Sequence, residues 1–181
     1  TVAMENQVRS ALKTQLEEGW YQFSDVKYDQ PGSRFARGAR AFEAAEGLDR
    51  TRTEARVGRL CCALADNGFA YAARIMERIV NYDILELQQN PFAADFKLQA
   101  HLSSTPDLVD IVKQWSDRMT VSPDAKAVYA FILWHLDRRA EAQSVAADLA
   151  RTWPDSSMTV LVRLMRSPDD PAASATPGTV P

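Results

Sequence analysis

Few residues in this sequence have the type and spacing that chemistry requires. The two histidines, His101 and His135, stand far apart. Neither has a second histidine three or four positions away on a helix, the spacing at which two imidazoles share a metal. Structural or surface roles are expected for both. The two cysteines are adjacent, Cys61-Cys62, and lack the two-residue gap of a redox pair. Neighbouring side chains on a helix point about 100° apart, so free thiols are expected, and apolar surroundings would raise their pKa rather than activate them. Asn90-Pro91-Phe92 is a tripeptide that some adaptor domains recognise, but a capping Asn, a first-turn Pro and a core Phe account for it. No Gly-rich phosphate loop, serine elbow or paired catalytic carboxylate motif is legible. The expectation is therefore a non-catalytic chain with no cofactor and no metal site.

The segments that carry these residues read as helices. Val8, Leu12, Leu16, Trp20 and Phe23 recur three or four apart and predict a first helix with one buried face over residues 4–23. Asp29-Gln30-Pro31-Gly32-Ser33 is a turn, with Ser33 as cap of a second helix that closes near Gly47. Thr51 and Glu54 have capping-box spacing for a third, with Val57, Leu60, Cys61 and Leu64 on its apolar face. Asn67-Gly68 ends it, and a return helix follows through Met76 and Val80. Asn90-Pro91, Thr105-Pro106 and Ser122-Pro123 each place a proline where a helix would begin. Asp137-Arg138-Arg139 turns the chain again, Trp153-Pro154 closes the helix after it, and a last helix is expected over residues 155–166. Residues 167–181 are rich in Pro, Ala, Ser and Thr, and a disordered tail is expected there. No segment alternates apolar and polar residues as a strand would.

With 181 residues, 46% of them hydrophobic and 25% charged, the chain is long enough for one self-sufficient core. A formal charge of −3 argues against generic nucleic-acid binding, which draws on a basic surface. No stretch reaches the roughly 18 uncharged apolar residues of a membrane span. Free thiols slightly favour the cytoplasm, although the chain starts at Thr1 with its first Met at Met4, and a removed leader or anchor stays open.

Corresponding points of the return helices, Gly38, Ala73, Leu108 and Ala142, lie 35, 35 and 34 residues apart, a period typical of stacked helix pairs. From about Gly19 to Arg166 the chain resembles the tetratricopeptide family. The likeness is clearest in Tyr129-Ala130, Leu133, Ala142 and Pro154, and next in Leu60-Cys61, Leu64, Gly68 and Ala73. Ala146 and Leu149 depart from the pattern, Leu108 replaces a small crossing residue, and Pro91 interrupts the third repeat.

This resemblance implies an all-α, right-handed superhelical stack of about four antiparallel helix pairs over residues 4–166. It also implies a concave groove that receives a protein or peptide. Phe131, Trp134 and His135, with Arg59 and Cys62 from the second repeat, hold the corresponding positions. Either these residues contact a partner or the last helix covers them. The function expected is a protein-binding scaffold, monomeric or homodimeric; the alternative is a non-catalytic structural subunit packing through its repeats. The Lys and Asn pattern with which some relatives of that family grip a terminal carboxylate is absent.

Overall fold

The computed structural model describes residues 1–24, 31–82, 98–103 and 105–165. Among them are nine α-helices: α1 (Val2–Ser24), α2 (Pro31–Leu48), α3 (Thr53–Ala65), α4 (Phe69–Tyr82), α5 (Leu98–Leu102), α6 (Leu108–Arg118), α7 (Pro123–His135), α8 (Arg139–Thr152) and α9 (Val160–Leu164). A 3-10 turn, Ser157–Thr159, leads into α9, so the last helix is shorter than its apolar pattern suggested. The expected tail and the Asn90-Pro91 start lie outside the described residues.

The helices pack in chain order through α1, α2, α3 and α4, and again from α6 through α9. Among the described residues, several contacts cut across that order: α1 also meets α3, α5 returns to α1, α3 touches α6, and α4 meets α7 and the 3-10 turn directly. In a regular row of four pairs, the third pair would separate α4 from α7. One continuous apolar core joins all of them, from Leu12 to Met165. Its large, fully buried side chains each contribute roughly 1.5–3 kcal/mol.

Two helix ends are closed by the same device. At the end of α3, Asn67 adopts φ 57°, the Gly68 amide donates to the Ala63 carbonyl at 2.7 Å, and the Asn67 amide donates to that of Leu64 at 3.1 Å. At the end of α7, Asp137 adopts φ 61°, with Arg138 donating to Leu133 and Asp137 to Trp134, both at 3.0 Å. This pairing of a six-to-one and a five-to-two bond satisfies carbonyls that the helix end would otherwise orphan. Short polar side chains tolerate the left-handed conformation better than other non-glycine residues do. Asn67 rather than Gly68 takes that conformation, and the two corners are 70 residues apart, twice the sequence period. Such short reversals set α4 antiparallel to α3 and α8 antiparallel to α7.

Helix starts follow the sequence less closely. The Thr51–Glu54 capping box does not form: α3 begins after Arg52, with no side-chain cap. The Thr51 hydroxyl donates instead to Asp49 Oδ1 at 2.6 Å, and Glu54 Oε1 accepts from Trp20 Nε1 at 3.0 Å. A nearer acceptor and a cross-helix donor outcompete the local pair. Ser33 lies inside α2 rather than capping it, and Pro106 precedes the first turn of α6, whose N-cap is Asp107. Ser122-Pro123 behaves as expected, with Pro123 opening α7.

Small residues set the closest approaches. A Cβ on Gly58 of α3 would overlap the Phe42 ring, and one on Gly19 of α1 would lie 2.7 Å from it. Phe42, fully buried on α2, therefore occupies a socket between two glycines. Ala142 of α8 is likewise fully buried, and α8 packs most extensively on α7. Ala142→Leu should lower stability by about 1–3 kcal/mol through overpacking. A melt superimposable on the wild type would refute that placement.

Candidate functional site

The residues expected to face a partner lie largely inside. Phe131 has no exposed surface, Cys62 retains 1%, Arg59 8% and Trp134 9%. His135 keeps part of its surface exposed, but its Nε2 is screened from solvent. The Phe131 and His135 rings meet edge to face at 4.5 Å, and the Arg139 guanidinium stands 5.4 Å from the Trp134 ring. α7 is wrapped by α4, α6, α8 and the 3-10 turn of the C-terminal segment. These side chains therefore join helices, and a partner would have to displace that wrapping to reach them. Of the two roles the sequence left open for these residues, their burial favours cover by neighbouring helices: Ala127 to Trp134 are all buried, so α7 is apolar on every side rather than on one face. In α3 the run from Ala55 to Leu64 behaves the same way.

The thiols are held in their neutral form. Burial pushes Cys61 up to about 12. Cys62 rises well above the ordinary thiol value, through burial first and then the neighbouring Cys61 and Asp66. Packed against Gly38, Cys62 serves as a close helix contact rather than a nucleophile.

The open features lie beside α1 and at the α2–α3 corner. α1 outreaches its neighbours, so its core stripe of Leu12, Leu16, Gly19 and Phe23 continues as Val8 and Met4 with 40% and 68% of their surface exposed. Val8 was expected to be buried, but no described helix reaches far enough to cover it. Along this helix runs a groove of about 990 Å³ toward α5, floored by Leu12, Leu16 and Trp20 and bordered by Tyr21 and His101. The Trp20 and His101 rings stack at 4.1 Å, nearly parallel. Burial holds the His101 imidazole below its ordinary pKa. Trp20 also packs edge-on against Phe42 at 4.8 Å. One indole thereby fixes α1, α2, α3 and α5 around the groove.

At the corner, Glu46 of α2 gathers arginines. Its Oε1 lies 3.4 Å from Arg56 Nη1 and 3.9 Å from Arg78 Nη2, and its Oε2 pairs with Arg59 Nη1. Burial alone would lower the Arg59 pKa, but hydrogen bonds to Tyr71 and Glu46 leave it raised. Sequence reasoning singled out only Arg59 here. The available signal was Arg56 and Arg59, two cations one turn apart inside the otherwise apolar run of α3, which burial permits only with a counter-charge.

Among the described residues, no group of three or more His, Cys, Asp or Glu side chains could hold a metal ion, and no helix is long and apolar enough to cross a membrane. Comparison of the chain with protein-family models, with curated proteins and with solved structures returns no match.

Proposed function

We propose that the chain is a non-catalytic protein-binding module and that a helical segment of a partner docks along the uncovered stretch of α1. The observation that carries this reading is the apolar stripe that continues past the core as Val8 and Met4, with Val2 68% exposed beside it. Contiguous apolar surface next to a groove marks an interaction site more often than bare surface does. Arg9, Lys13, Glu17 and Arg52 border the groove and would orient an amphipathic helix whose apolar residues fill it. The finer architecture proposed is a degenerate tetratricopeptide-like row of helix pairs, supported by the two identical corners at Asn67 and Asp137.

A photoactivatable side chain at position 8 tests the docking reading. It should give a discrete adduct of fixed mass that the same group at Val121, 83% exposed, does not. Met4→Asp/Val8→Asp should abolish the interaction while changing stability by only about 0.5 kcal/mol, since both positions are solvent-facing. Equal adducts at both positions, or none at position 8, would remove the reading. A second copy of the chain is the other occupant with support: Glu5 and Arg9 lie one turn apart beside the stripe, so an antiparallel α1 pair would match opposite charges. An adduct of twice the chain mass, with a dimer by light scattering, would favour the structural-subunit role.

A further inference from the structure

Arg50, Arg56, Arg59 and Arg78 border a cleft of about 540 Å³ together with Glu43, Glu46 and Gly47. Four guanidinium groups against two carboxylates leave this cleft two charges positive, in a chain whose total is −3. The deeper pair is fixed. Arg56 and Arg59, 6% and 8% exposed, each give one terminal nitrogen to Glu46. Their second nitrogens are held by the Arg50 carbonyl, at 2.8 Å from Arg56, and by the Tyr71 hydroxyl for Arg59. Arg50 and Arg78 stand exposed at the rim, and Arg78 only grazes Glu46 at 3.9 Å. Asp49, near Arg56, has its carboxylate engaged by the Thr51 amide and hydroxyl.

Excess positive charge against a low-dielectric wall concentrates anions, and guanidinium forks match tetrahedral oxyanions bidentately. Arg56 and Arg59, whose terminal nitrogens are already engaged, add fixed positive charge at depth, and the exposed forks at the rim are those of Arg50 and Arg78. We propose that this cleft binds a phosphate monoester. Such a group carries about −1.5 to −2 charges near neutral pH, which matches the local excess, whereas a single carboxylate would cancel only half of it. The cleft is also larger than a bare phosphate, leaving room for the group that bears the ester. None of its lining residues borders the α1 groove, so the site stands or falls independently of the docking reading.

Calorimetry on the full chain at low ionic strength provides the test, with N-acetyl-phosphoserine amide and glycerol phosphate as probes and N-acetylserine amide and succinate as controls. The phosphorylated probes should bind at least tenfold more tightly than either control. Arg50→Gln/Arg78→Gln should weaken that binding at least tenfold while leaving the melt unchanged, because both side chains are exposed. A tenfold preference for the phosphoserine amide assigns the site to a protein-borne phosphate, and the reverse preference to a small metabolite. Glu46→Gln adds a second readout: its melting temperature should fall and be recovered by inorganic phosphate but not by sodium chloride at matched ionic strength. No binding by either ester, binding indifferent to the rim arginines, or recovery by both salts alike would overturn the site and leave a purely structural ion cluster.

Discussion

Gly58→Val is expected to lower unfolding stability by about 3 kcal/mol or more, the upper end of overpacking penalties. On propensity alone the change would be favourable, since glycine is the poorer helix former by a few tenths of a kcal/mol. Packing reverses the sign. The new Cβ would occupy the space of the Phe42 ring, which has no exposed surface and is bounded opposite by Gly19 and on its flank by Trp20. For a chain of this length the loss corresponds to about 6–12 °C in thermal midpoint. Phe42→Leu shortens the intruding side chain, so the double variant should lose less than the sum of the single losses, by 1 kcal/mol or more. Additive losses would show that the ring and Gly58 are not in contact.

The second large effect is acid destabilisation through His135. Burial lowers its folded-state pKa from 6.5 to about 3. Above pH 6.5 the imidazole is neutral both folded and unfolded and adds no pH dependence. Below that value the unfolded chain takes up a proton that the folded chain refuses, so stability falls by at most about 1.4 kcal/mol per pH unit until the folded pKa is reached. Nε2 is screened while part of the residue still meets water, so the realised loss between pH 6.5 and 4.5 should be about 1–2 kcal/mol. His135→Gln lacks this proton. The stability difference between wild type and variant, from urea unfolding at pH 7.5 and 4.5, should therefore shift by that amount; a constant difference would show that the folded imidazole protonates normally.

The helices and their reversals were legible because they rest on short-range rules: three-to-four spacing along α1, Asn67-Gly68 after α3, and Pro123 opening α7. The interior was less legible because burial depends on which neighbours arrive. Val8 obeys the same spacing as Leu12 yet stays exposed, since α1 extends beyond its neighbours. Phe131 and Trp134 sit beside the expected stripe yet are buried, since α7 is wrapped on all sides. Thr51 and Glu54 had the spacing of a cap, but Asp49 and Trp20 offered better partners. The stacked Trp20–His101 pair joins residues 81 positions apart, beyond the reach of any local pattern.

The Phe42 socket also bears on how the chain assembles. Its two walls come from helices on either side of α2 in sequence, so α1 with α2 offers half a seat and α2 with α3 the other half. Trp20 and Gly19 of α1 receive the ring in part, and Gly58 of α3 completes the seat, through contacts close along the chain and hence quick to form. The smallest cooperative unit at this end should therefore be three helices, and a fragment ending after Leu48 should remain largely without fixed structure while one ending after Ala65 gains it.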